Sequence, residues 1–292
     1  MPSTRDIRRR IKSVKNTAKI TKAMQMVAAS KMSKAQQAAQ EGSAFAVRFN
    51  HLMRSLSEEH AEGIEHPFFE KLGKGVPCYL VISTDKGLCG GLNTNLFRLL
   101  NDLPKDAAFV SVGKRGRQYV TRAGFNLLAD FPLADKFSFT ESKQISKFLI
   151  EKFETQEISS VTVVYSRFKN TLVQVPSELK LLPMQELSLL SEVAGEDAKP
   201  LEIEEQVQEY IFEPSPQVVF AEMLPYYVHY QIYQTFLNAK AAEHSARMVA
   251  MKNATENAKQ LVKDLTLEYN KARQAAITNE LLEITSAQMA LG

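Results

Sequence analysis

Proline and glycine are nearly missing from both ends of this chain. Between Pro2 and Pro67 there is no proline, and glycine occurs only at 42 and 63; from Tyr226 onward neither appears until Gly292. These two residues are the strongest interrupters of regular structure, so both ends are expected to be long helices. Cysteine is scarce as well. Cys78 and Cys89 are too few for a disulfide framework and lack metal-ligand spacing, which suits a reduced, intracellular compartment. No apolar run approaches the ~20 residues of a membrane-spanning helix, and no charged-apolar-small secretory signal opens the chain. Any meeting with a membrane is therefore expected to go through partners.

Chemistry-bearing patterns are sparse too. His51, His60, His66, His229 and His244 never pair at i and i+4 around a glutamate, which argues against zinc. No serine, cysteine or lysine has a base at a telling spacing, and no isolated carboxylate pair sits in an apolar setting. The expectation is a non-enzymatic chain with no catalytic, cofactor-binding or metal-ligating residues.

What is present is ordinary globular material, 45% hydrophobic and 24% charged over 292 residues, enough for one large domain or two smaller ones. The net charge of +3 hides an asymmetry. Residues 1–34 hold Arg5, Arg8, Arg9, Arg10, Lys12, Lys15, Lys19, Lys22, Lys31 and Lys34 against Asp6 alone, leaving 26 bases and 32 acids in the remainder. One end is strongly basic.

The middle alternates β-branched and aromatic runs with helical stretches, an α/β pattern. Strands are expected at Cys78–Ser83, Ala108–Val112 and Val161–Tyr165. Their continuous apolar character points to a parallel sheet covered on both faces. The acidic, weakly periodic stretch 191–205 reads as a connecting loop.

Helix begins almost at once, with a capping box at Ser3 and Asp6. From there a 4-3 spacing runs through Ile7, Ile11, Val14, Ala18, Thr21, Gln25, Ala28, Met32, Ala35, Ala39, Gly42, Ala46, Phe49, Met53 and Leu56, all apolar but three. A seven-residue repeat sustained that far specifies a left-handed coiled coil, because only supercoiling keeps such a seam on its partner. A second helix is expected to open with Ser215 as N-cap and Pro216 at its first position, with Pro225 kinking it. It carries two seven-spaced rows: Met251, Ala258, Leu265, Ala272, and Ala254, Leu261, Glu268, Ala275, Leu282, Met289. The expected fold is thus α/β with long helices: an antiparallel two-helix coiled coil from the N- and C-termini plus a central Rossmann-like α/β domain. Its parts are a coiled-coil helix at 1–60, an α/β head domain at 74–190, a connecting foot region at 191–214 and a second coiled-coil helix at 215–292.

Three blocks carry a family resemblance. Lys19–Met32 (KITKAMQMVAASKM), Ala246–Thr255 (ARMVAMKNAT) and Tyr269–Leu281 (YNKARQAAITNEL) closely resemble gamma subunits of F-type ATP synthases of the bacterial type, and Ser83–Asn93 (STDKGLCGGLN) resembles that family's central motif. The likeness spans essentially the whole chain. It implies a rotor shaft threaded through a hexamer of alternating alpha and beta subunits, coupling proton or sodium flow through a membrane c-ring to ATP synthesis, with an epsilon subunit as a further partner. Implied contacts with the hexamer are Arg9, Met24, Arg273, Gln274, Thr278 and Glu280, with the helix tip beyond Glu283 as an axle in a bearing. Implied contacts with the membrane ring are Tyr210, Phe212 and Glu213, together with a head loop near residues 40–45. The implied location is peripheral, on the cytoplasmic face of the bacterial inner membrane. The cysteine pair of the chloroplast type is missing, so thiol gating is not expected.

Several features admit other readings. Gly87-Leu88-Cys89-Gly90-Gly91 follows a strand and precedes a helix but fits neither phosphate-loop spacing; its glycines read as permitting a tight turn with positive φ, and Gly113–Gly116 reads the same way. The basic stretch reads as a solvated helix face, as a surface for nucleic acid or an anionic membrane, or, by the resemblance, as cations riding against acidic loops of the beta subunits. Met24 and Met26 lie beside the seam, Met26 with local packing as its expected role. An enzyme whose α/β domain binds nucleotide is the third reading.

Overall fold

The computed structural model describes residues 3–60, 66–70, 74–132, 138–184 and 212–291, with the side chains of 43, 44, 46, 47, 50, 51, 54, 55, 57–60, 290 and 291 left aside. Helix α1 runs Thr4–His60 and helix α5 Pro216–Leu291. Between them lie β1 (Val76–Ile82), α2 (Leu92–Asn101), β2 (Ala108–Val112), α3 (Lys114–Arg122), β3 (Asn126–Phe131), α4 (Phe139–Glu154), β4 (Ile158–Phe168) and β5 (Gln174–Leu182). The chain divides into two compact units, one formed by Met1–Ala28 with Met248–Gly292, the other by Ala29–Arg247.

Both long helices start as their sequences dictate. The Ser3 hydroxyl accepts from the Asp6 amide at 3.2 Å and donates to the Asp6 carboxylate at 2.8 Å. Ser215 caps α5 through the Val218 amide at 3.4 Å, and Pro216 takes the first helical position, where its missing N–H is harmless. Pro225 lies inside α5, which continues through it as one helix.

In the smaller unit α1 and α5 form a two-helix seam. On α1 the covered positions are Ile7, Ile11, Val14, Ala18, Thr21, Gln25 and Ala28, while nearly every position between them is exposed, so the expected heptad is the buried one. On α5 the covered row Met251, Ala258, Leu265, Ala272 also stands, but its companion is Thr255, Val262, Tyr269. Of the expected second row only Ala254 is part-covered; Leu261, Glu268, Ala275, Leu282 and Met289 are exposed. The difference of one residue has a cause: Thr255 faces the seam and its hydroxyl meets that of Thr21 at 2.7 Å, turning Leu261 and Glu268 outward.

In the larger unit, the sheet order is β3-β2-β1-β4-β5. The β1–β2, β1–β4 and β2–β3 pairs are parallel, whereas β4–β5 is antiparallel. The three strands expected from the sequence, β1, β2 and β4, pair in parallel as read; the sheet is mixed because β5, not expected from the sequence, returns from β4 through a short hairpin instead of a helical crossover. One face is covered by α2 and α3 around Val81, Phe109, Leu96, Leu100 and Val120. The other is covered by α4 and by parts of α1 and α5, with Leu80, Val110, Leu149, Phe153, Met53, Leu56 and Phe236 in one cluster. Within this unit α1 and α5 run antiparallel: Met32 and Ala35 pack beside Ala241 and Ala242, the Phe45 ring lies tilted against Tyr230, and Phe49 stacks near Tyr227, so partner numbers fall on α5 as they rise on α1. The stretch 40–45, expected as a head loop, is continuous α1 helix.

Candidate partner-binding site

In the coiled-coil unit the seam ends before α5 does. Starting from the Thr21–Thr255 contact, the residues of α1 down to its first turn are matched as far as Ala272, the last covered position on α5 among the described side chains. From Arg273 to Met289 every residue is exposed. That stretch carries Ile277, Leu281, Leu282, Ile284 and Met289, which range from 49% to 86% exposed. A sustained apolar surface on a helix with nothing covering it among the described residues marks an interaction surface. Counting helix lengths reveals it in the sequence: α5 outlasts the start of α1 by about five turns at 3.6 residues each.

The hexamer-contact candidates fall on this unit. Arg273, Gln274, Thr278 and Glu280 all lie on the uncovered stretch of α5, exposed, with the Thr278 hydroxyl donating to the Gln274 carbonyl at 3.0 Å. Arg9 is exposed on α1 and pairs with Asp6 at 3.3 Å. Met24 is half-buried beside the seam, while Met26 is 58% exposed; the packing role expected for Met26 belongs to Met24. Arg5, Arg8, Arg9, Arg10, Lys12, Lys15, Lys19 and Lys22 are all exposed, so the basic stretch is an outward, solvated surface.

In the head unit, the place where an open α/β sheet usually takes a ligand is the crevice at the carboxyl ends of strands flanking a switch in strand order, here between β1 and β4. This crevice is filled from within. Phe236, Ala239, Lys240 and Glu243 of α5 close over Ile82, Ser83, Thr84, Asn93 and Ser166, leaving a cavity of about 10 Å³, room for about one water. The N-terminus of α3, which would face a phosphate after β2, is engaged as well. The Asp85 carboxylate accepts from the Lys114 amide at 2.9 Å, and the Ser83 hydroxyl accepts from the Gly116 amide at 2.7 Å. Gly113 has φ 98°, and a Cβ there would lie 2.5 Å from the Ser83 carbonyl oxygen, so only glycine fits. In the Gly87–Gly91 turn, positive φ falls on Leu88 (62°) and Gly90 (60°), not on Gly87 or Gly91. Leu88 is a bulky residue held in the left-handed region, an outlier that surrounding structure must enforce.

The turn is held by Arg247 of α5. Its Nη2 donates to the Lys86 carbonyl at 3.1 Å and the Gly87 carbonyl at 3.3 Å, and its Nη1 pairs with Glu243 at 2.9 Å. Glu243 also holds Lys240 at 3.3 Å. Both cations and the carboxylate are nearly buried, so the three charges satisfy each other in a setting where a lone one would be costly. The neighbouring His244 is held down to about 4 by burial, despite the nearby Glu243 carboxylate that favours its charged form. Cys89 and Cys78 are buried, and burial pushes the Cys78 thiol up to about 12. Sequence reasoning passed over the Lys240–Glu243–Arg247 group, whose i, i+3 and i+4 spacing was visible but whose burial was not.

Of the ring-contact candidates, Phe212 packs against the head core and Glu213 is exposed just before α5. Tyr210 and most of 191–214 lie outside the described residues.

Exposed apolar and basic helical surface, joined in the sequence to a head whose crevice is closed by its own helix, is the surface of a chain that binds other chains. Comparison makes this specific. The family model described as ATP synthase matches residues 3–291. The chain is 48% identical to the ATP synthase gamma chain of Methylacidiphilum infernorum (isolate V4) over the whole of both, and 47% identical to that of Opitutus terrae over 99% of each. In fold it is similar to a chain of the Euglena gracilis mitochondrial ATP synthase OSCP/F1/c-ring structure in rotational state 3, with TM-score 0.66 and 22% identity, covering 99% of this chain and 94% of that one. This chain belongs to the ATP synthase gamma-chain family. No helix among the described residues is long and apolar enough to cross a membrane.

Proposed function

We propose that this chain is the central shaft of a rotary ATP synthase, turning inside a ring of alpha and beta subunits and coupling ion flow through a membrane c-ring to ATP synthesis. The observation that carries this reading is the stretch Arg273–Met289, helical, apolar in part and uncovered beyond the end of the seam. It is the surface a surrounding sleeve of other chains would cover. The tip beyond Glu283 serves as the axle end, and Arg9, Met24, Arg273, Gln274, Thr278 and Glu280 contact the hexamer. The outward cations of α1 ride against acidic loops, since long-range attraction tolerates a changing register where specific contacts do not. Tyr210, Phe212 and Glu213, in the foot region 191–214, meet the membrane ring, with an epsilon subunit alongside. The complex sits at the cytoplasmic face of the bacterial inner membrane, this chain being peripheral there.

The shaft acts by touching open and closed forms of a catalytic subunit with different free energy. Reversing a 1:99 population takes about 5.5 kcal/mol of such preference, more than one polar contact supplies, so several patches act together. The test is Arg273→Ala with Gln274→Ala in a complex reconstituted with alpha and beta subunits and the membrane sector. Protons pumped per ATP hydrolysed should fall; unchanged coupling would remove this patch from the mechanism.

A further inference from the structure

We infer that Asn238, Ser245 and Arg247 lock α5 against rotation about its own axis within the head, making them torque-transmitting positioning residues. The inference rests on the shaft reading, because only a driven shaft needs such a lock.

Three side chains spread over about two and a half turns of α5 reach main-chain atoms of two different head loops. The Asn238 side-chain oxygen accepts from the Phe168 amide at 2.7 Å. The Ser245 hydroxyl donates to the Thr171 carbonyl at 2.7 Å and accepts from the Gln174 side-chain amide at 3.4 Å. Those partners belong to the β4–β5 hairpin. Arg247 donates to the Lys86 and Gly87 carbonyls of the β1–α2 turn.

Placement around the helix gives the arrangement its mechanical meaning. At about 100° per residue, 238 and 245 share one side of α5, while 247 lies roughly 200° from 245, on the opposite side. Turning the helix about its axis drags the two sets of anchors in opposite directions, so no sideways shift relieves both. Main-chain partners cannot swing away as side chains do. The Arg247 guanidinium is itself held by Glu243 at 2.9 Å, and Glu243, Ser245 and Asn238 are all buried. Apolar contacts flank the lock without fixing an angle: Cys89 and Leu92 pack on Ala246, and Phe168 on Ala241 and Ala242. Such packing is non-directional; the hydrogen bonds set the angle.

The test uses the whole complex in membrane vesicles, with Ser245→Ala and Arg247→Ala made singly and together. Hydrolysis is measured with an uncoupler present, and proton pumping is followed as the proton gradient builds. The lock predicts that uncoupled hydrolysis is retained while pumping against a gradient is lost, most severely in the double variant. Arg247→Lys, which restores one donor to the turn, should recover part of the pumping. Should the double variant fail to assemble, the two single variants are compared at equal assembled complex, and the ordering of pumping against load decides. Pumping per ATP equal to that of the unaltered chain at every gradient would overturn the lock. An unaltered chain that supports no pumping with alpha and beta subunits would instead overturn the shaft reading.

Discussion

Replacing Thr21 and Thr255 by valine, singly and together, probes the polar contact at the heart of the seam. The two hydroxyls lie 2.7 Å apart, and each also lies within reach of a carbonyl of its own helix, Thr21 to Ala18 at 3.2 Å and Thr255 to Met251 at 2.8 Å. Two hydroxyl protons serve three contacts, so one is always unmade. When either threonine becomes valine, the survivor keeps its bond to its own helix and no buried donor is orphaned. The cost of each single change should therefore sit at the low end of the usual range for a buried hydrogen bond, about 0.5–1 kcal/mol. With both replaced, no polar group remains to be desolvated, and the double variant should be close to neutral or slightly stabilised. The cycle thus predicts a coupling of about 1–2 kcal/mol, readable from amide hydrogen exchange across residues 14–28 and 248–262. Strict additivity within about 0.3–0.5 kcal/mol, or a double variant less stable than either single, would refute this reasoning.

Three other outcomes follow from the head unit. Gly42→Ala should destabilise by about 1 kcal/mol in chemical unfolding: its Cβ would lie 2.4 Å from the Gln234 side-chain nitrogen and 2.7 Å from the Tyr230 hydroxyl, and overpacking outweighs the gain in helix propensity. Adding Gln234→Ala should shrink that penalty. His229 is buried between α4 and α5, bonded to the Ser146 hydroxyl, and held down to about 4 by burial and by Lys143 and Lys147. Because its folded value lies below its unfolded 6.5, the stability it contributes is complete above pH 6.5 and is lost as pH falls through 4, on the order of 3 kcal/mol; His229→Leu should flatten that part of the acid-unfolding profile. Glu243→Ala leaves Lys240 and Arg247 buried without their shared carboxylate and should cost about 3–5 kcal/mol in thermal unfolding of the chain.

The parts legible in the sequence are those where one physical pattern dominates. The α1 seam is written as an unbroken heptad, and β1, β2 and β4 as continuous apolar runs, because both are buried by long-range packing of a single kind. The edge strands β3 and β5 escaped notice: every second residue of β3 is exposed, among them Asn126 and Asp130, and β5 is interrupted by the exposed Glu178 and Lys180 and is mostly half-buried, so neither continuity nor strong hydrophobicity announces them. The second row on α5 was misplaced by one residue because a buried threonine scores as polar. Leu88 with its positive φ reverses the ordinary preference for glycine in a turn, something only the surrounding structure imposes. Arg273, Gln274, Thr278 and Glu280 were singled out by family likeness, while their exposure depends on where α1 begins. Arg247 and Ser245 act on opposite sides of one helix through loops 70 to 160 residues away in the chain, a juxtaposition that no local pattern encodes.

The most direct measurement anchors the alpha and beta subunits to a surface, attaches a visible probe to the head of this chain, and follows the probe's angle while ATP is hydrolysed. Sustained rotation in one direction, its rate rising with ATP turnover, is the expected result. A probe that stays fixed while the assembled complex hydrolyses ATP at its full rate would contradict the account.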